Sequence, residues 1–552
     1  MSASLETFEP KSLSVLKEGY GLARLRADAI AGLTVAIVAL PLSMAIAIAS
    51  GVTPDRGLFT AIIGGFLVSL LGGSRHQIGG PAGAFIVLVA ATVDRHGITG
   101  MLLAVMISGF FLILAGSLKL GTYIKFIPYP VTVGFTAGIA VIIFSSQLGE
   151  LFGLTLPGKE PGPIVEKLET LAGAWQTINP AAFAIAALTI LIILVLRRLR
   201  PHWPGLLIAI CVASLATALL SLDITTIGSR FGGIPRTLPL PEVPPLSFDL
   251  AVAVLPDAIA FALLGAIESL LSAVVADGMT GRRHRSNVEL VGQGVANIGS
   301  ALFGGICVTG TIARTATNVR AGATSPVSGM LHALFLLLFM LVAAPLAVYI
   351  PLAALAGMLA VVAWNMVERP AFAALLRSSR GDAAVLLVTF LLVVFRDLTE
   401  GIVVGFALGA LLFIGRMSKA VTVTPHEEPG AAEKPIDQSD EDTVVYRIGG
   451  AFFFGAAATV GSVLDRIADR YHNFVLDCSD VSFMDSTAAN VIEGTVRKAE
   501  RAGVSVYIVG AGEELKKLLE THELEPPRVT YVARIADARA AIAARRAVTS
   551  PV

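Results

Sequence analysis

Phe303-Gly-Gly-Ile-Cys-Val-Thr-Gly-Thr-Ile-Ala-Arg314, set beside Gly72-Gly-Ser-Arg-His-Gln-Ile-Gly-Gly-Pro-Ala82, decides how this chain folds. Each stretch runs from glycine-rich, irregular backbone into a short apolar helix. Counted along the chain they open the third and tenth apolar segments, so they correspond if the fold is two repeats of seven. A matched pair of short segments interrupted by glycine or proline marks the midplane site of a transporter. Irregular backbone survives at that depth only inside protein or beside a wet cavity. The N-terminus of each half-helix presents unsatisfied N–H groups and a positive dipole end, which together bind an anion. Glycine is common in membrane helices, so one such segment alone would read equally well as a kinked packing helix. Two at matching positions favour a binding site.

The flanking sequence agrees with a membrane setting. The chain has 552 residues, 55% hydrophobic and 15% charged, with a mean hydropathy of +0.77. Soluble domains carry about 25% charged residues. This composition excludes a disordered chain, a disulfide scaffold and a purely soluble enzyme. Apolar runs fall near 28–49, 57–72, 80–94, 99–118, 129–148, 180–197, 204–222, 253–277, 287–304, 310–320, 325–345, 351–366, 383–396 and 400–416. The reading is about fourteen segments, several shorter than the roughly 20 residues of a simple spanning helix. Residues 1–27 are polar and charged, so no cleavable signal sequence is expected.

Charge is unevenly distributed. Residues 421–552 hold 20 acidic and 14 basic side chains, leaving 21 and 27 of the 41 and 41 for residues 1–420. Neither part has the dense basic patch that nucleic acid requires. Basic clusters at Arg24/Arg26, Arg197/Arg198/Arg200, Arg282/Arg283/Arg285, Arg377/Arg380 and Arg416/Lys419 fall on one side when fourteen crossings are threaded. That side is expected to be cytoplasmic, with both termini inside. Loops 149–179 and 223–252 then lie outside. Three scattered cysteines, Cys211, Cys307 and Cys478, give neither a disulfide framework nor zinc spacing. No metal or cofactor is expected.

Residues 421–440 read as a polar linker. Beyond it, strand-like runs at Thr443–Ile448, Phe474–Asp477, Val504–Val509 and Val529–Val532 alternate with helix-like runs at 457–471, 486–502, 513–522 and 535–546. That alternation predicts a small α/β domain over 441–546.

Within the membrane part, Glu268 sits near the middle of the eighth segment. An ionised carboxylate at that depth costs several kcal/mol unless neutralised, and a group held between protonation states suits a proton carrier. Ser272 lies one turn on, on the same helical face. Arg314 lies about one turn into the tenth segment and stays charged at any working pH. It is placed either to attract an anion or to balance Glu268 in a buried ion pair that only fixes two helices. Asp257 and Asp277 bound the eighth segment and are expected to face water. Arg320 reads as a helix-end charge. His76, on the basic side, has the chemistry of a proton relay, but a lone loop-side histidine reads as merely polar and is left outside the site. No P-loop or nucleotide motif is present.

These residues resemble the sulfate permease (SulP) family of anion transporters, related to the solute carrier 26 group. The likeness covers about 27–417 and then a cytoplasmic STAS domain over about 440–545. It is carried by Ala31-Gly-Leu-Thr-Val with Pro41, by Gly80-Pro81 and by Arg314-Thr-Ala-Thr-Asn-Val319. Most of all it is carried by Leu264-Gly-Ala-Ile-Glu-Ser-Leu-Leu-Ser-Ala-Val-Val-Ala-Asp-Gly-Met-Thr-Gly281. This last run, with Asn287-Val-Glu-Leu-Val-Gly-Gln-Gly294 and Arg320-Ala-Gly-Ala-Thr-Ser-Pro326, is most similar to the bacterial C4-dicarboxylate branch.

The resemblance implies an α-helical polytopic membrane protein with two inverted seven-segment repeats and half-helices at segments 3 and 10. A core of segments 1–4 and 8–11 would move in an elevator-like way against a gate of segments 5–7 and 12–14. It further implies a homodimer in the bacterial inner membrane. Carried over residue by residue, the substrate site is Ser43, Gly80, Pro81, Ala82, Gly310, Thr311, Ile312, Ala313 and Arg314, and the coupling carboxylate is Glu268, supported by Ser272. Where sodium-coupled bicarbonate members carry Asp and Thr, this chain has Glu268 and Ile312. A missing oxygen ligand weakens a sodium site, which favours protons. Where many sulfate-type members carry Gln and Tyr after the first-segment proline, this chain has Leu42 and Ile46. Where many eukaryotic members carry Ser before the arginine, it has Ala313. A less polar pocket leaves room for a larger carboxylate.

In the tail, Val475-Leu-Asp-Cys-Ser-Asp-Val-Ser-Phe-Met-Asp-Ser-Thr-Ala488 is similar to STAS domains. The likeness makes Ser486, with Asp485, a candidate for regulation by phosphorylation and for a cytosolic partner, a phosphate there meeting the helix dipole favourably. In transporters the same serine often serves only as a helix cap. The expected function is proton-coupled symport of C4-dicarboxylates such as succinate or fumarate, with sulfate or bicarbonate as alternatives. A channel-like anion conductor and a membrane-anchored signalling scaffold are the competing classes. No nucleophile–base pair or metal cluster suggests an enzyme.

Overall fold

The computed structural model describes residues 8–124, 128–158, 160–201, 203–396, 398–425, 442–457 and 472–549. Each of the fourteen apolar runs falls on helix. The helices are α1 (Leu22–Ala49), α2 (Pro54–Leu71), α3 (Ile86–Ser117), α4 (Tyr129–Leu151), α5 (Pro180–Leu199), α6 (Gly205–Leu219), α7 (Leu255–Thr280), α8 (Ser286–Leu302), α9 (Ile312–Arg320), α10 (Val327–Ala347), α11 (Leu352–Met366), α12 (Arg380–Phe395) and α13 (Leu398–Lys419). Among the described residues, nine helices are long and apolar enough to cross a membrane. Runs three and four lie within one helix, α3, broken at Gly97, whose φ of 67° is left-handed and costs glycine little.

Local chemistry sets several starts. Proline stands in the first turn of α2, α4, α5 and α7, where its missing N–H is one of the helix's unpaired donors in any case. Asn179 caps α5, its side-chain oxygen accepting from the N–H groups of Ala181 and Ala182. The two loops read as external hold short helices of their own at Ile164–Gly173, Ile227–Phe231 and Phe248–Ala253.

The helices associate in two groups. In one, α3 packs along α8 and α7, α1 along α10, and α2 against α8 and α10; in the other, α4 packs along α11 and α12, and α5 along α6 and α11. Two of the irregular stretches meet between α7, α8 and α9. There β1 (Gly79–Gly80) and β2 (Thr309–Gly310) pair antiparallel, Gly79 opposite Gly310 and Gly80 opposite Thr309.

The chain divides into compact units at 406/407, inside α13. The second unit is a five-stranded sheet in the order β3 (Thr422–Pro425), β4 (Thr443–Phe452), β5 (Asn473–Met484), β6 (Ser505–Val509) and β7 (Val529–Val532). β3 is antiparallel to β4 and the other pairs are parallel. Helices α14 (Ser486–Arg501), α15 (Glu513–Thr521) and α16 (Ile535–Thr549) complete the unit. The four expected strands are present. The expected linker 421–440 begins instead with β3. Its Thr-Val-Thr alternation was masked by the Pro and Glu residues that follow, and its partner strand lies beyond any local window. The helix-like run 457–471 lies outside the described residues apart from Ala457.

Candidate anion site

The paired strands aim two helix starts at one region. α9 begins after Thr311, which does not cap it. The Thr311 hydroxyl donates instead to the Ile78 carbonyl (3.2 Å), as does the Thr311 N–H (3.0 Å). The first-turn N–H groups of α9 therefore receive no side-chain cap. On the other strand, the chain passes Gly80, Pro81 and Ala82 into a short turn of helix at Gly83–Phe85 and then α3, again with no side-chain cap.

Arg314 lies between them, 2% exposed. Its Nη2 donates to Ser43 Oγ on α1 (3.2 Å) and to the Pro81 carbonyl (3.3 Å), while Nε and Nη1 have no partner among the described residues. Gly80 makes room for the guanidinium: a Cβ at that position would stand 2.0 Å from Nη1. Ser43, Gly80, Pro81 and Arg314 thus come together, with Gly310 and Thr311 on the paired strand. Ile312 and Ala313 occupy the first turn of α9, Ala313 exposed and Ile312 half-buried; Ala82 is buried.

Glu268 is 7% exposed on α7 and forms no hydrogen bond or ion pair among the described residues. The alternative of a Glu268–Arg314 ion pair is therefore not what the structure contains. One turn before it, the Gly265 carbonyl accepts from Thr309 Oγ1 (3.2 Å), which docks β2 against the Glu268 helix. Ser272 does not turn towards Glu268. Its hydroxyl donates to Thr315 Oγ1 (2.9 Å), and Thr315 Oγ1 accepts from the Ile78 N–H (3.1 Å).

Two expectations are corrected. Asp257 is 5% exposed and buried against Arg95 and His96 (3.4 Å to the latter), because the start of α7 packs beside the break of α3 at Gly97. His76 is buried too, since the glycine-rich stretch folds into protein and not into water. Its carbonyl accepts from Asn318 Nδ2 (2.9 Å). Asp277 remains partly accessible, taking the His284 ring and N–H, and Arg320 is exposed.

The irregular backbone is satisfied by residues that sequence reading passed over. α8 was read as an apolar run, but Glu289, Gln293, Asn297 and Ser300 recur at four, four and three residues along one face, all fully buried. Asn297 clamps Val308 through both its N–H (3.0 Å) and its carbonyl (2.9 Å). Gln293 reaches the same carbonyl, and Ser300 donates to Ile306 O (2.7 Å). Buried backbone needs such partners, and the helical period of those four polar side chains was the available signal.

Two cavities, one of about 580 Å³ beside Asp55, Arg56 and Gly304 and one of about 340 Å³ with apolar walls beside Pro41 and Phe339, are lined by neither Arg314 nor Glu268. Among the described residues no group of three or more His, Cys, Asp or Glu side chains is placed to hold a metal. In the second unit, Asp485 is the cap of α14: its carboxylate accepts from Ala488 N–H (2.9 Å) and Phe454 N–H (3.0 Å), leaving Ser486 exposed as the first helical residue.

The model of the sulfate permease family matches residues 25–389, and that of the STAS domain matches residues 434–531. A putative sulfate transporter of Bacillus subtilis, YvdB, is 42% identical over 91% of this chain and 94% of its own length. The bicarbonate transporter BicA of Picosynechococcus sp. is 31% identical over 91% of each. Murine Slc26a9, an anion transporter solved in an inward-facing state, superposes with a TM-score of 0.85 over 99% of this chain and 96% of that chain at 19% identity, a likeness of fold.

Proposed function

This chain belongs to the sulfate permease family of anion transporters and is a multi-pass membrane protein, and on that premise we propose that it is a proton-coupled symporter of C4-dicarboxylates such as succinate or fumarate. The observation that carries the anion site is Arg314. A buried guanidinium without a counter-ion is costly, by several kcal/mol, and an anion held at the two half-helix starts removes that cost. Substrate carboxylate would meet Arg314, the first-turn N–H groups of Ile312 and Ala313, and the backbone around Gly80–Ala82 and Gly310–Thr311, with Ser43 orienting the guanidinium.

Glu268 would carry the proton. It stands one turn beyond the β2 contact and is buried, with no cation paired to it among the described residues. Protonation removes the cost of moving a bare carboxylate through apolar surroundings. The denser packing within α1–α3 and α7–α10, and within α4–α6, α11 and α12, than across the α1 contacts with α6 and α11 supports an elevator-like movement of a core against a gate. In this reading the protein is a homodimer of the bacterial inner membrane with both termini cytoplasmic, as its basic clusters suggest. The STAS domain offers exposed Ser486 to a kinase or cytosolic partner.

Dicarboxylate is favoured by the pocket's apolar replacements at Leu42, Ile46 and Ala313 and by the resemblance around 264–281. Sulfate or bicarbonate is the second reading, supported by the names of the relatives at 42% and 31% identity. The test is uptake of labelled succinate, fumarate, sulfate and bicarbonate into proteoliposomes. Saturable uptake of a dicarboxylate that excess sulfate leaves unchanged supports the proposal. Uptake of sulfate or bicarbonate alone contradicts its substrate and leaves the site standing, and uptake of none contradicts both.

A further inference from the structure

We propose that Glu289 is a positioning residue for the anion site, an ionised clasp that holds both half-helix entries in register; the proposal rests on the anion site argued above. The evidence is its hydrogen bonding. Glu289 lies on α8, fully buried. Its Oε2 accepts from the N–H groups of Gly73 (2.7 Å) and Ser74 (3.0 Å). Its Oε1 accepts from Gln77 Nε2 (2.7 Å) and lies 3.3 Å from Ser269 Oγ. Gln77 Nε2 spends its second hydrogen on Ser269 Oγ (2.7 Å), and Ser269 also reaches Gln293 Oε1 (3.2 Å). Among the described residues, the two backbone N–H groups and the Gln77 amide all donate to the carboxylate. An ionised carboxylate is acceptor-only, and this set of three donors suits that form.

The clasp reaches the site through Gln77. The side chain of Gln77 crosses the face of Gly310, where a Cβ would stand 2.0 Å from Nε2. The next residue, Ile78, supplies the carbonyl that takes Thr311 N–H and hydroxyl, and the N–H that donates to Thr315. One carboxylate therefore fixes the stretch leading into β1, and through Gln77 and Ile78 the start of α9 with Arg314 on it. Ser269 adjoins Glu268 on α7, so the same network also braces the helix that carries that carboxylate. A displacement of about 1 Å at positioned groups costs about a hundredfold in transfer reactions, and the same sensitivity is expected for an anion held by backbone N–H groups.

The experiment uses full-length protein in proteoliposomes with labelled succinate, sulfate and bicarbonate as probes, comparing wild type, Glu289→Gln, and the swap Gln77→Glu/Glu289→Gln. Backbone hydrogen exchange over 72–80 and 309–315 is measured alongside. An amide at 289 turns an NH₂ group towards donors. The single variant is expected to raise KM about tenfold for whichever probe the wild type moves, with kcat little changed and the pH profile unmoved, and to lose exchange protection in both stretches together. The swap restores one carboxylate facing one amide and is expected to recover both readouts. A wild-type KM in Glu289→Gln, a fall in kcat with a displaced pH profile, or a swap no better than the single variant would overturn the proposal. If Glu289→Gln does not fold, recovery or failure of the swap decides. If the wild type moves none of the three anions, the transport reading fails, while loss and recovery of protection still decides the clasp.

Discussion

Arg314 on α9 donates from Nη2 to Ser43 Oγ on α1 at 3.2 Å, joining the first membrane helix to the tenth segment across the pair of glycine-rich strands. This contact orients the buried guanidinium while leaving Nε and Nη1 without a partner among the described residues. Ser43→Ala is expected to keep the fold and weaken anion binding about tenfold, the lower end of the value of one hydrogen bond to a charged group. Uptake kinetics check this: KM rises while kcat holds. An unchanged KM would mean that Pro81 alone sets the guanidinium.

Gly80→Ala is expected to be far more damaging. Its Cβ would stand 2.0 Å from Arg314 Nη1, and β1 cannot retreat because it is paired with β2. Uptake should fall by at least about tenfold, or about 1.4 kcal/mol. Gly83→Ala serves as the control: its Cβ would meet only side-chain ends, Ile143 Cδ1 at 3.2 Å and Met366 Sδ at 3.7 Å, and no guanidinium or backbone atom within 3 Å. Equal losses in the two variants would contradict the role given to Gly80.

The sequence made much of this legible and hid the rest for physical reasons. Hydropathy runs longer than a turn announce helices, and two glycine-rich interruptions in corresponding segments announce a site, so the surroundings of Arg314 could be read in advance. Glu289, Gln293 and Asn297 could not be weighed the same way, because apolar residues such as Leu290, Val291 and Val295 between them raise the average hydropathy of the run. Their partners are backbone groups from stretches far off in sequence, visible only once those stretches fold back. Asp257 and His76 were misjudged for a related reason: a residue at the end of an apolar run borders water only if no neighbouring element covers it.

Ser272→Ala tests a contact of another kind. Ser272 ties α7 to α9 through Thr315, which keeps the Ile78 N–H as a second partner. The variant is expected to cost about 1 kcal/mol of stability, seen as a small fall in the melting temperature of purified protein, with the proton dependence of uptake unchanged. Loss of proton dependence would assign Ser272 to coupling.

In the STAS domain, the Arg497 guanidinium and then Arg528 hold the Glu493 carboxyl below the ordinary glutamate range, against some opposing desolvation. The folded value is depressed, so this contribution is complete above the unfolded glutamate pKa of about 4.3 and is lost as pH falls through the lower folded value. Melting of the second unit followed between pH 6 and pH 3, all below neutrality, should steepen in the acid range. Glu493→Gln should flatten that dependence and lower stability at pH 6. A parallel pH curve for the variant would show that the pair adds nothing.

The coupling assignment of Glu268 is the centre of the account, and its most direct test is succinate accumulation in proteoliposomes with and without an inward proton gradient, for wild type and Glu268→Gln. Wild-type accumulation driven by the gradient is predicted, with Glu268→Gln still exchanging succinate across the membrane but no longer concentrating it. Gradient-driven accumulation that survives in Glu268→Gln would contradict the assignment and make Glu268 a structural residue.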